Sequence, residues 1–265
     1  MTGERAVAGI IPFATEQVVS EPHLLWLVQR FSDVPAAEDW LSHGERAQMA
    51  RLAVPKRARD WKLGRWTAKL AVLAALREGA QAPPLTSLEI AADPGGAPVV
   101  LLWGARTRFT LSLSHSREQG LCAIDPAGGP VGCDIEFVEP RSPQFTADYF
   151  TPAEVSALAA VPMAERPLVV TLVWSAKESA LKALGEGLRR DTRSVEVSLK
   201  EQEAGRTWQA LAVRCLESRR DFRGWWRPDG EYVLTMVGDP RASEPRALHP
   251  LSITPDAELK QRRSD

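Results

Sequence analysis

Cysteine is scarce in this chain of 265 residues, which holds only Cys122, Cys133 and Cys215, with no close pair and no Cys-x-x-Cys spacing. A zinc or dithiol site is therefore not expected, and a reduced compartment suits the composition. Long apolar runs are lacking too. No stretch approaches the roughly 20 residues that cross a bilayer, and the N-terminus lacks the basic start and apolar core of a signal peptide. The expectation is a soluble, cytoplasmic protein with no membrane partner. Excess charge of either sign is also missing, since 33 Lys and Arg stand against 34 Asp and Glu. No global field marks the chain for nucleic acid, so any basic site has to be local.

What is present is material for a core. At 44% hydrophobic content the chain is long enough for one large domain or two modest ones. Nine tryptophans are scattered from Trp26 to Trp226, which suits core and cleft packing better than a stacking platform.

An irregular, extended stretch to about Val28 precedes helical patterning over 36–49 and 55–77, the second helix ending at Gly79 as a C-cap. Short strand-like runs follow at 88–91, 99–103, 109–114, 121–124 and 131–137. The link Asp125-Pro-Ala-Gly-Gly-Pro130 reads as a hairpin loop joining two antiparallel strands. Thr151-Pro152-Ala153-Glu154 is a helix start, with Thr151 as cap, Pro152 at the first helical position and Glu154 closing a capping box. A longer helix spans 167–184, and strands follow at 194–199, 208–215 and 232–237. Helices then antiparallel strands, twice over, predict an α+β fold of two similar α/β halves, a pseudo-twofold pair meeting across an interface. The boundaries expected are 1–137, 138–238 and a loosely held polar tail over 239–265.

Two segments carry chemistry. In Gly132-Cys133-Asp134-Ile135-Glu136 a strand puts Asp134 and Glu136 on one face, about 7 Å apart. Paired carboxylates suit a hard cation such as Mg²⁺; an exposed edge-strand face is the equal alternative. In Trp174-Ser175-Ala176-Lys177-Glu178-Ser179-Ala180-Leu181-Lys182 the wheel sets Glu178 and Lys182 together at the margin of an apolar arc. Lys177 falls inside that arc, so it either snorkels or meets an anion in a polar cleft. The alternative for Glu178 and Lys182 is an ordinary surface pair.

Taken together, Gly132-Cys-Asp134-Ile-Glu136 and, about forty residues on, Trp174-x-x-Lys177-Glu178-x-x-x-Lys182-x-x-Gly185-x-Gly187-Leu188 resemble the paired signature of the phosphopantetheinyl transferase superfamily. Length and the two-half layout resemble its monomeric surfactin-type branch. The resemblance implies Mg²⁺ held by Asp134, Glu136 and Glu178, with coenzyme A as substrate. It also implies Glu178 as catalytic base, and Lys182 as a catalytic and phosphate-binding cation. An apo acyl or peptidyl carrier protein is the implied acceptor, met by an apolar and basic patch around residues 145–150 and the Lys177 helix. Lys177 is taken with the coenzyme-binding set. Leu113-Ser114-His115-Ser116 is similar to the family's Ser-His-Ser motif, which implies phosphate contacts from Ser114 and His115; without it, His115 reads as a turn residue. The basic run over 56–69 is similar to the segment that grips the 3′-phosphate. Arg59 and Arg65 are favoured there, or Arg57 if the spacing slips by one, and a solvated helix face is the alternative. In one departure, Ala97 stands in Gly95-Gly96-Ala97-Pro98 where many relatives carry a lysine that reaches the nucleotide. Two rivals are a Mg²⁺-dependent hydrolase of nucleotide pyrophosphates and a non-catalytic coenzyme- or carrier-binding module.

Overall fold

In the computed structural model, which describes residues 23–76 and 82–249, the strands sort their side chains to alternate faces and so build three layers of core. The chain runs β1 (His23–Arg30), α1 (His43–Met49), α2 (Pro55–Leu76), β2 (Leu88–Ala92), β3 (Pro98–Leu102), β4 (Ala105–Ser116) and β5 (Gln119–Asp125). It continues through β6 (Val131–Phe137), α3 (Pro143–Tyr149), α4 (Pro152–Ala159) and α5 (Arg166–Ala183). Last come β7 (Val195–Leu199), β8 (Gln209–Cys215), β9 (Asp221–Asp229), β10 (Tyr232–Gly238) and β11 (Ser243–Ala247). One sheet has the order β11-β1-β5-β4-β3-β2 and the other β6-β10-β9-β8-β7. Leu25, Leu27, Cys122 and Ile124 face Leu70 and Leu73 of α2. Val173, Ala176 and Ala180 of α5 face Val213, Val233 and Val237. Leu24, Leu121 and Ala123 meet Cys133, Ile135, Leu234 and Met236 between the sheets. The layers therefore read helix, sheet, sheet, helix, an α+β arrangement.

The two halves repeat one device. Without β11 the sheets share a strand order, with β1 and β6, β5 and β10, β4 and β9, β3 and β8, and β2 and β7 in equivalent places. In the first half Ser42 caps α1 and closes a capping box with Glu45; in the second Thr151 and Glu154 do the same for α4. Each glutamate also accepts from a strand N–H, Ile90 at 2.9 Å and Val197 at 2.8 Å. Each holds a buried lysine, Lys69 at 2.5 Å and Lys177 at 2.8 Å. The lysines complete their shells with carbonyls, Trp40 and Leu85 for one, Thr192 and Val195 for the other. Burial lowers the pKa of both ammonium groups and the paired glutamates pull it back.

Four expectations are corrected. The 125–130 link is not a hairpin: β5 lies between β1 and β4, and β6 pairs with β10. Asp125 accepts from Ala127 N at 2.7 Å and turns the chain from one sheet into the other. The carboxylate strand β6 thus belongs to the second sheet, and the division between sheets falls before Val131 rather than after Phe137. Part of the supposed tail is structured, because β11 pairs in parallel with β1 and Ala242 is buried. Helix over 36–49 shrinks to His43–Met49, while the extended start is a strand, His23–Arg30. The expected cap at Gly79 and residues 250–265 lie outside the described residues. Among those described, no helix is long and apolar enough to cross a membrane.

Candidate active site

Gly132 sets the site. A β-carbon there would lie 1.8 Å from the Ser179 carbonyl oxygen and 2.8 Å from Ala183 N. Only glycine lets α5 lie directly on β6, and that contact brings the margin of the helix over Asp134. Lys182 Nζ donates to Asp134 Oδ1 at 2.8 Å and to the Cys133 carbonyl at 3.0 Å, and stands 3.8 Å from Glu178 Oε2.

Asp134 is 2% exposed and held from three sides. Ser114 at the end of β4 donates to Oδ1 at 2.6 Å, and Ser175 of α5 donates to Oδ2 at 2.8 Å. Ser175 and Ser179 both bond Thr235 of β10, at 2.9 and 2.7 Å. Ser112 ties the strands together one step away by accepting from Cys133 N at 3.0 Å. Glu136, two residues along the same face, accepts from the Trp174 indole at 3.2 Å and has Arg141 at 3.8 Å. The indole packs edge-on against Phe145 and Tyr149, at 5.0 and 5.1 Å.

The electrostatics record unbalanced negative charge. Burial, then the Asp134 carboxylate, pushes Glu178 up to about 7, with Lys182 pulling the other way. Glu136 is raised by burial and by Asp134. For Lys182, burial alone would lower the ammonium's pKa; Asp134 and Glu178 outweigh it and the pKa is raised. The donors are all oxygens, the chemistry that hard divalent cations favour. Among the described residues no three His, Cys, Asp or Glu stand together as a finished metal cage, and Lys182 is the cation that meets Asp134 and Glu178. The carboxylates fit Mg²⁺ by donor type and by charge in need of neutralising.

The remaining predicted residues divide. His115 follows Ser114 near the end of β4, about half-exposed, with Nε2 3.4 Å from Asp60 on α2. Arg59 pairs with Glu118 and lies 4.1 Å over the Phe31 ring, at the same end of β4. Arg57 is exposed. Arg65 lies 4.8 Å over Trp61, its pKa lowered by burial against the pull of Glu45 and Glu89; these neighbours, not Ser114 or His115, are its surroundings. Lys177 is a correction: its side chain is 0% exposed, so the anion that meets it is Glu154, and it has no access to a coenzyme. Phe150 is core, at 2% exposed. Sequence reasoning missed Ser175, Thr235, Trp174 as a Glu136 partner, Arg141 and Asp60. Ser175 sits inside the quoted motif at the helical offset that faces β6; Thr235 has no local signal.

A family model described as the 4′-phosphopantetheinyl transferase superfamily matches residues 130–237, the stretch that carries this site. The chain is 26% identical over 179 residues to the 4′-phosphopantetheinyl transferase HetI of Nostoc sp., covering 67% of this chain and 73% of that protein. It is 35% identical over 88 residues to the 4′-phosphopantetheinyl transferase Sfp of Bacillus subtilis, which spans 33% of this chain and 38% of Sfp. Thermotoga maritima holo-[acyl-carrier-protein] synthase is a slighter likeness, 23% identical with a TM-score of 0.33 over 50% of this chain and 76% of that one.

Proposed function

As the chain belongs to the 4′-phosphopantetheinyl transferase superfamily through residues 130–237, we propose that it moves the 4′-phosphopantetheine group of coenzyme A to a serine of an apo carrier protein, as a surfactin-type member. The products are the holo carrier and 3′,5′-ADP. The observation that carries this reading is the convergence of Lys182 and Glu178 on Asp134, made possible by Gly132.

Asp134, Glu136 and Glu178 would hold Mg²⁺, which when bound neutralises and orients the pyrophosphate. The chain's own groups do the rest. Lys182 offsets charge building on the leaving phosphate. His115 stands near the site as a phosphate donor, and Ser114 joins it only by giving up its hydrogen bond to Asp134; Arg57 and Arg59 on the neighbouring helix face are candidates for the 3′-phosphate. Glu178 is the carboxylate placed to take the proton of the carrier hydroxyl. Trp174 and Arg141 fix Glu136, and Ser175 with Thr235 fixes Asp134. Phe145, Tyr149 and Trp174 offer the apolar ground beside the site on which a carrier would dock.

The test is intact-mass spectrometry of apo peptidyl and acyl carrier proteins incubated with the protein, coenzyme A and Mg²⁺. Gain of one phosphopantetheine group, lost with chelator, is the expected result. No gain on any carrier by a folded protein that binds coenzyme A would overturn the reading.

A further inference from the structure

Arg141 stands between two carboxylates. It belongs to the link over 138–142 that joins β6 to α3. Pro140 and Pro143 stiffen that link, and Ser142 caps α3 by accepting from Phe145 N at 3.2 Å. One Nη of Arg141 lies 3.1 Å from Glu139 Oε1 and the other 3.8 Å from Glu136 Oε2, while Cζ lies 5.2 Å over the Phe145 ring. Among the described residues its buried Nε has no hydrogen-bond partner. The guanidinium is therefore shared between the two acids and saturated by neither.

Glu139 is itself held from the other half. Its second oxygen, Oε2, lies 3.8 Å from Arg117 in the β4–β5 turn, and Arg117, at φ 53°, lies 3.1 Å over the ring of Phe137 at the end of β6. Glu136 is two-sided as well, because Oε1 accepts from Trp174 and Oε2 faces Arg141. Arg117, Glu139, Arg141 and Glu136 thus form a row of alternating charge that ends on a carboxylate assigned above to Mg²⁺. At 3.8 Å the last link is a charge attraction without a hydrogen bond, so Glu136 Oε2 is attracted but not capped. A divalent cation arriving there meets a positive neighbour, and Glu139 is the group that draws that neighbour away.

We propose that Arg141 is a resident counterion of Glu136 that competes with Mg²⁺ for this carboxylate, and that Glu139 sets how strongly it competes by holding the guanidinium back. Arg141 and Glu139 are then positioning residues that fix the Mg²⁺ concentration at which the site loads. This rests on the reading of Glu136 as a metal ligand of the transferase.

Calorimetric titration of Mg²⁺ into the protein saturated with coenzyme A, with no carrier present and with the heat of Mg²⁺ on coenzyme A alone subtracted, tests it. Wild type is compared with Arg141→Gln, Arg141→Met, Glu139→Gln and Arg141→Gln with Glu139→Gln, each checked by circular dichroism. Methionine keeps apolar bulk against Phe145, so agreement of the two Arg141 variants separates lost charge from lost packing. Both should bind Mg²⁺ about three- to tenfold more tightly, and Glu139→Gln should bind it more weakly by a similar factor. If Glu139 acts through Arg141, the double variant matches Arg141→Gln; two charges acting independently on the metal would instead add. Wild-type or weaker Mg²⁺ affinity in the Arg141 variants, or an equal effect of Glu139→Gln in both backgrounds, would overturn the proposal. The transferase reading would survive that result as long as wild type still loads an apo carrier. A wild type that binds coenzyme A and takes up no Mg²⁺ would remove the metal role of Glu136 and this proposal with it.

Discussion

Gly132 and Ser179 touch where a β-carbon would collide, 1.8 Å from the carbonyl oxygen. Everything that Glu178 and Lys182 do to Asp134 depends on that approach, because both residues ride on the helix that Gly132 admits.

Gly132→Ala should therefore act on stability and on the site together. The added methyl meets backbone, which cannot rotate away, so the loss should reach about 3 kcal/mol or more. A melt and a transfer assay read it, and α5 displaced from β6 would cost activity beyond the unfolded fraction. An unchanged melting temperature with full activity would show that α5 does not lie directly on β6.

Lys177 and Lys182 lie five residues apart on one helix and should behave as opposites. Lys177→Met leaves Glu154 buried without its partner, a loss of about 3–5 kcal/mol, visible as a shifted urea midpoint. Nucleotide affinity of the remaining folded protein should not change. Lys182→Met should cost less stability, because Asp134 keeps the Ser114 and Ser175 hydroxyls, but should lower transfer and weaken coenzyme A. Equal loss of coenzyme affinity in both variants would restore Lys177 to the binding set.

Much of this was legible in the sequence, and the rest was not for definite reasons. The alternation of Asp134 and Glu136, the 151–154 capping box and the length of α5 are local patterns, and the structure keeps them. The sheet to which β6 belongs is not local: a Gly- and Pro-rich link looks the same whether it folds back or crosses over, and β10, the partner, is about a hundred residues away. β11 is a polar edge strand bearing Pro245, with none of the apolar alternation that marks a paired strand. Lys177 sat correctly in the apolar arc, but its anion, Glu154, lies on another helix. Thr235 enters the site only through the pairing of β10 with β6.

Without Mg²⁺, Glu178 should make stability pH-dependent in a known direction. Its folded pKa of about 7 lies above that of an unfolded carboxyl, near 4.3. The proton it holds favours the folded state fully below the unfolded value, and that contribution is lost as pH rises through about 7. Thermal melts in chelator should therefore fall between these limits in wild type and be flatter in Glu178→Gln. Above pH 7, Mg²⁺ should raise the melting temperature of wild type and do so less for the variant. Parallel curves would contradict the burial and charge coupling of Glu178.

Ser175→Ala probes a residue that touches no substrate in this account. Removing its hydroxyl takes one hydrogen bond from the Asp134 carboxylate, a loss of about 1.5–3 kcal/mol for a charged partner. A lower kcat and weaker Mg²⁺ activation are expected with the carrier KM unchanged; a change in carrier KM alone would point away from Asp134.

The most direct measurement is the single-turnover rate of transfer to an apo carrier, followed by intact mass, for wild type, Asp134→Ala and Glu178→Gln at saturating coenzyme A and Mg²⁺. The account predicts transfer by wild type, none with chelator, and near-complete loss in both variants, each still folded by circular dichroism. Full transfer by either folded variant would contradict the assignment of the chemistry to the β6–α5 contact.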